Sequence, residues 1–248
     1  DNSAKVIAAG PLEVDAASLR NAQGAAFSSG ADAQLRTGGV LENAGSLYAA
    51  NALQINADSF TQGGSVSSGN TLSATVVDTF DNTGNVVARN ALQIDASHLR
   101  SSGQLGSEAA GVVLGSQGDI ALQGVVAAAT NLQATAAGDL QQAGSLKAQS
   151  LALRAGHDLT ASGTLQSAST FDLQAQRALT FAAQGQAGGD IGMRAATLTT
   201  SQDAVLQGAG AIALESGTID SRGKLDAGGN LRVRSLGDLT LAGVAQGS

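Results

Sequence analysis

Three aspartates, Asp119, Asp139 and Asp158, recur at intervals of 20 and 19 residues, each one position before a large apolar residue: Ile120, Leu140 and Leu159. Carboxylates held side by side repel, share a proton or bind a cation, and paired carboxyl groups divide acid and base duties in glycan-cleaving sites. All three lie in short corner sequences, Gly118-Asp119, Gly138-Asp139 and Gly156-His157-Asp158, with Gly237-Asp238 as a further example. In a corner, Gly supplies positive φ and Asp bonds its own backbone two residues on. A turn-forming role is the leading expectation for these aspartates. A cation ladder and an acid–base pair are the alternatives.

A second group is basic: Arg222, Lys224, Arg232 and Arg234 crowd the carboxyl end. Such a patch suits a sulfated glycan or an anionic lipid, but the interspersed acids favour an ordinary solvated face. His98 and His157 are the two histidines and there is no cysteine. This leaves no thiol nucleophile, disulfide framework or zinc ribbon, and histidine-based metal catalysis has too few ligands. Both histidines read as solvated corner residues. Gly185-Gln186-Ala187-Gly188-Gly189 lacks the Lys-Ser/Thr ending of a phosphate loop, so its glycines read as corners. No catalytic residue and no cofactor is expected.

The elements that position these groups must be unusual. Of 248 residues, 33 are Gly and only 2% are aromatic, yet 43% are hydrophobic. That is too apolar for disorder and too poor in rings for an ordinary globular core. A net charge of -7 excludes a nucleic-acid binder driven by bulk positive charge. No run of about 18 apolar residues spans a membrane. The opening Asp1-Asn2-Ser3 has no basic and apolar leader, and the chain reads as a piece of a longer mature protein.

A repeat accounts for the composition. Leu12, Ala33, Leu53, Leu72, Leu92, Val112, Leu132, Leu151, Phe171, Ile191, Ile212 and Leu231 succeed one another at steps of 19 to 21, each followed two residues later by a second apolar residue. Seven or eight residues after each pair stands one large apolar residue: Leu19, Leu41, Phe60, Phe80, Leu99, Ile120, Leu140, Leu159, Leu179, Leu198, Ile219 and Leu239. Four residues on, nine of the twelve repeats have Gly, and two beyond it Leu or Val recurs in eight (Leu47, Val66, Val86, Leu105, Val126, Leu146, Leu165, Leu225). Spacing of two is the signature of a strand, and a unit of about 20 residues is too short for a helical hairpin. The pattern predicts an all-β chain folded as a right-handed parallel β-helix of about 12 coils, three strands and three sheet positions per coil. It is expected as a single segment over 1–248, with coils from about Leu12 to Gly243. Stacking at about 4.8 Å per coil would make a rod of about 58 Å.

Two further registers support the winding. Asn21, Asn43, Gln62, Asn82 and Gln142 share one corner, where stacked amides would bond one another along the axis. The residue after each apolar pair runs Asp15, Arg36, Asn56, Thr75, Asp95, Gly115, Thr135, Arg154, Gln174, Arg194, Glu215, Arg234, with no like charges adjacent.

Units such as Gly229-Asn230-Leu231-Arg232-Val233, Gly237-Asp238-Leu239-Thr240-Leu241-Ala242-Gly243 and Ala143-Gly144-Ser145-Leu146 resemble filamentous haemagglutinin repeats. The resemblance runs from about Leu12 to Gly243. It implies the shaft of a bacterial two-partner-secreted exoprotein, an adhesin or a contact-dependent growth inhibition effector, located at the cell surface or secreted. It also implies an outer-membrane secretion pore as partner, and receptor contacts made by regions outside this chain. The family's Asn-Pro-Asn-Leu type secretion motif is absent, Pro11 being the only proline, so shaft rather than secretion domain is indicated. Absence of cysteine suits a chain threaded unfolded through a pore, which a disulfide would obstruct.

The expected role is therefore structural and not enzymatic. A glycan-binding adhesive surface is the first rival, to be revived by glycan binding that charge reversal at Arg232 and Arg234 abolishes. A polysaccharide lyase or hydrolase is the second, to be revived by polymer cleavage lost in Asp139→Asn. No capping element is apparent at either end, which predicts exposed coil edges and end-to-end self-association.

Overall fold

The computed structural model describes residues 1–247 and contains strands, corners and no helix. The described residues fall into two compact units, one formed by Asp1–Gln117 with Gly124–Ala129, the other by Gly118–Gln123 with the chain from Thr130 onward. Each unit is a parallel β-solenoid, and between them they hold about twelve coils.

Most coils contribute three short strands, as the periodicity predicts. In the first unit the third coil shows the plan: Leu53–Ala57, Ser59–Gln62 and Ser65–Ser68. In the second unit the eighth coil repeats it: Ser150–Ala155, Leu159–Ala161 and Thr164–Ser167. The strands form two sheets rather than three, because first and second strands belong to one sheet and third strands to another. Coils ten and eleven show why: Ile191–Thr200 and Ile212–Ser221 run through the first corner as single ten-residue strands.

Pairing is parallel and in the predicted register. In the first unit Leu12 pairs with Ala33, Ala33 with Leu53, Leu53 with Leu72, and Leu72 with Leu92. In the second unit Leu132 pairs with Leu151, Leu151 with Phe171, Phe171 with Ile191, and Ile191 with Ile212. The second-strand column stacks likewise, Leu41 on Phe60, Phe60 on Phe80 and Phe80 on Leu99. Alternate residues point inward, so these columns form the dry interior: Leu53, Ile55, Phe60 and Val66 are each at most 1% exposed. Phe60 and Phe80 meet edge to face with ring centres 5.4 Å apart, a favoured aromatic geometry.

The third-strand column includes three residues that strict spacing hides. Phe27 lies in register with Leu47, and Leu206 with Leu225, because extra corner residues shift them along the chain. Gly185 occupies the same inward position between Leu165 and Leu206. Phe171 and Phe181, with ring centres 6.4 Å apart, supply the bulk that a leucine at 185 would have provided. A Cβ on Gly185 would stand 2.8 Å from Phe181 Cζ and 2.9 Å from Phe171 Cε1.

The corner glycines have a different reason from the one expected. Gly24 alone among the described residues has positive φ, at 80°. Elsewhere glycine permits backbone to pass over backbone: a Cβ on Gly84 would meet the carbonyl oxygen of Gly64, and one on Gly163 that of Gly144. Close stacking of coils, not a left-handed conformation, excludes a side chain there.

The amide corner is occupied as predicted and begins earlier. Asn2 Nδ2 donates to Asn21 Oδ1 (2.8 Å), Asn21 Nδ2 to Asn43 Oδ1 (2.8 Å) and Asn43 Nδ2 to Gln62 Oε1 (2.6 Å). Asn82 continues the corner by donating to Ser101 Oγ at 3.0 Å. Gln142 does not join a ladder: its register neighbours are Leu122 and Ala161, its Nε2 donates to Gly144 O, and its buried Oε1 has no partner.

Candidate functional site

The aspartates at 119, 139 and 158 are brought together on one corner of the second unit. Their carboxylates reach the main chain of the following coil. The N–H of Asp139 donates to Asp119 Oδ1 at 2.8 Å, that of Asp158 to Asp139 Oδ1 at 3.1 Å, and that of Ala178 to Asp158 Oδ1 at 3.1 Å. Each carboxylate thus caps a main-chain donor one coil further on. Where the first strand ends and the corner breaks the ladder, that donor would otherwise lack a partner. The spacing of about one coil makes the arrangement a staircase of carboxylates.

Arg177 answers the charge of that staircase. Its Nη2 lies 3.1 Å from Asp158 Oδ2 and 3.5 Å from Asp139 Oδ1, and His157 Nδ1 is 3.9 Å from Asp139 Oδ1. These side chains are about half exposed, so their pairing is weak in energy and sensitive to salt. Among the described residues, no group of three or more His, Cys, Asp and Glu is placed to hold a metal ion. The same cap appears at another corner, where Asp32 Oδ1 accepts from Ala52 N (3.1 Å) and Asp190 Oδ1 from Ala211 N (2.7 Å). Sequence reading missed these two, although each also stands shortly before a first-strand apolar residue, Ala33 and Ile191.

The basic residues near the carboxyl end separate. Arg232 and Arg234 lie on strand Leu231–Ser235, in register with Ala213 and Glu215. Glu215 carries Arg194 at 3.1 Å and Arg232 at 4.0 Å. Arg222 instead grips Asp220 two residues back, at 2.9 Å, and Lys224 holds Asp226 at 3.0 Å on strand Lys224–Ala227. The hydrogen bonds from Arg222 to Asp220, and then their charge attraction, raise the guanidinium pKa. Gln246 donating to Asp226, followed by Lys224, lowers that carboxyl below its ordinary 3.8. Arg222, Lys224 and Arg232 therefore act as local ion-pair partners, and Arg234 stands in register with Glu215. His98 starts strand His98–Ser101, in register with Thr79 and exposed.

The second unit also carries a shallow gutter of about 560 Å³ beside its third strands. Its wall is one outward register, Lys147, Gln166, Gln186, Gln207 and Asp226, and its floor is Ala and Gly. This is a row of amides over a small-residue surface, without a titratable pair suited to bond cleavage.

The comparison with curated proteins and that with solved structures give no match. The haemagglutinin repeat model matches the chain over residues 7–60, 48–144, 104–160, 148–192 and 186–243. These overlapping stretches run from 7 to 243, and the chain belongs to the haemagglutinin repeat family.

Proposed function

We propose that the chain is a shaft segment of a large bacterial exoprotein, an adhesin or a contact-dependent inhibition effector, which holds a distal functional domain away from the cell. On this reading it passes unfolded through the outer-membrane pore of a two-partner system and folds outside, where haemagglutinin repeats are typically found. The observation that carries the reading is uninterrupted register. Within each unit, inward positions meet like positions coil after coil, and no inserted loop builds a cleft. A repeating backbone ladder of this kind gives reach and stiffness without needing a site. The cysteine-free sequence keeps the unfolded chain free of cross-links.

The test is excision of two whole coils, residues 72–111, from the full-length exoprotein, against an out-of-phase excision of residues 72–101. The in-phase deletion should preserve secretion, surface display and distal activity while shortening the projection. The out-of-phase deletion should lose display. Loss of activity in a normally displayed in-phase deletion would contradict a passive shaft.

One observation favours a second reading, an adhesive face. The amides of Gln166, Gln186 and Gln207 repeat at about 4.8 Å, and each can donate and accept, as hydroxyl groups of an extended neutral glycan require. Glycan-array binding abolished by Gln186→Ala with Gln207→Ala would establish it.

A further inference from the structure

The outward column of the third strands in the second unit is symmetric about its centre, with opposite charges at its two ends. Lys147, Gln166, Gln186, Gln207 and Asp226 are successive register partners on strands Ser145–Ala148, Thr164–Ser167, Gln184–Ala187, Val205–Gly208 and Lys224–Ala227. Gln186 stands at the middle. The two charges lie four coil steps apart, about 19 Å along the axis. All five residues belong to the interior of the repeat array, and no open strand edge is involved.

This column has bonding capacity to spare. Lys147, Gln166, Gln186 and Gln207 are exposed, and none is hydrogen-bonded or ion-paired through its side chain to another described residue. Elsewhere stacked amides do close on each other: Gln34 Nε2 donates to Gln54 Oε1 and Asn90 Nδ2 to Asn70 Oδ1, both at 2.7 Å. Here each amide keeps a donor and an acceptor for a partner outside the chain. The gutter of about 560 Å³ beside them, floored by small residues such as Ala187 and Gly208, gives long side chains room to lean aside.

The pattern fits a second copy turned end for end. About a two-fold axis along the strands through Gln186, Lys147 of each copy faces Asp226 of the other, Gln166 faces Gln207, and Gln186 faces its own equivalent. Both ionic contacts form together. Asp226 already holds Lys224 at 3.0 Å and accepts from Gln246 at 2.7 Å, but a carboxylate has about four acceptor sites and can take a further cation. Lys224 itself falls opposite Ser145, the uncharged residue at the other end of the neighbouring column. No like charges of these strands then face one another. A parallel pairing would set Lys147 on Lys147 and Asp226 on Asp226, and a neutral glycan would leave both charges unanswered.

We propose that the chain pairs with a second copy of itself, antiparallel and face to face, through Lys147, Gln166, Gln186, Gln207 and Asp226, with Lys147 of each copy bonded to Asp226 of the other. The contact closes on itself, so dimers form and nothing larger. A ridge of this length buries less than about 1,200 Å², which places it among weak, transient contacts. The inference is independent of the shaft reading, and a glycan on the same amides would compete with it.

Sedimentation of the 248-residue chain over a concentration series tests it. A monomer and dimer in equilibrium are expected, with dimerisation weakened several-fold between low and high salt. Lys147→Glu and Asp226→Lys, each checked for fold by circular dichroism, should separately weaken dimerisation by on the order of tenfold, since like charges then meet twice. Mixing the two variants should restore it, and so should carrying both changes in one chain. With a short thiol cross-linker, Gln186→Cys should link readily to itself, and Gln166→Cys should link faster to Gln207→Cys than to itself. The proposal is overturned by a monomer at every concentration, by species larger than a dimer, by single variants that dimerise unchanged, by a mixture that stays monomeric, or by Gln166→Cys linking faster to itself. Monomers that bind a neutral glycan through Gln186 and Gln207 would assign the face to the glycan instead.

Discussion

Asn21 Nδ2 donates to Asn43 Oδ1 at 2.8 Å, and the two side chains are 0% and 1% exposed. Asn43 then donates to Gln62 at 2.6 Å, so one amide serves two neighbours and each coil is tied to the next from inside the corner. Such a polar column stabilises only while every member is satisfied.

Replacing Asn43 with Leu therefore leaves Asn21 and Gln62 each short of a buried partner. At about 1–3 kcal/mol for each orphaned group, the loss should be about 2–6 kcal/mol. Because solenoids open locally, hydrogen exchange at the amides of 41–47 is the suitable readout, with protection falling there first. Gln142→Leu should behave oppositely. Its Oε1 is buried without a partner between Leu122 and Ala161, so removing it should be neutral or stabilising in the same assay.

Asp139 should prove to be a cap. Asp139→Ala removes the acceptor for the N–H of Asp158, and exchange at that amide should speed by an amount equivalent to about 1 kcal/mol. Asp139→Asn retains an oxygen in the same place and should leave the rate nearly unchanged. Equal loss in both variants would point to charge rather than capping.

Filling the small site in the third-strand column should destabilise. Gly185→Leu drives a side chain into Phe171 and Phe181, at a cost of about 1–3 kcal/mol. Adding Phe181→Ala should recover part of that loss in thermal or denaturant unfolding, because a leucine at 185 then replaces the displaced ring. No recovery in the double variant would mean that the two residues do not share one volume.

The carboxyl of Asp226 should titrate below its ordinary 3.8, because Gln246 and then Lys224 hold its ionised form. A depressed folded pKa stabilises the ionised, folded state above the unfolded value, and that contribution disappears as pH falls through the lower folded value. Carboxyl-detected NMR of Gln246→Ala should show the midpoint moving upward toward 3.8. The exposure of the site makes the accompanying stability change small.

Much of this architecture is readable in the residues themselves. Strands with spacing of two, repeated every 19 to 21 residues, placed Leu12, Leu53 and Phe171 in columns that the pairing bears out. Corners were harder, because their chemistry lies between coils rather than along the chain. Asp119 looks like a local turn former, yet its carboxylate serves the N–H of Asp139 twenty residues away. Gly84 looks like a left-handed hinge, yet what excludes a side chain is the carbonyl of Gly64. Phe27 and Leu206 escaped because extra corner residues slide them out of fixed spacing, and Gly185 because an inward glycine carries no apolar signal. The cluster of Arg222, Lys224, Arg232 and Arg234 was close in sequence, but alternation and a corner divide it between faces.

The winding itself is most directly tested by cross-linking in this cysteine-free chain. Thr75 and Asp95 are register partners on adjacent coils, a separation within reach of a disulfide, whereas Asn85 lies between them in sequence on a third strand. Mild oxidation of Thr75→Cys with Asp95→Cys should close the bridge nearly completely, and Thr75→Cys with Asn85→Cys should stay reduced. Efficient bridging of 75 to 85, with none of 75 to 95, would contradict a coil of about twenty residues.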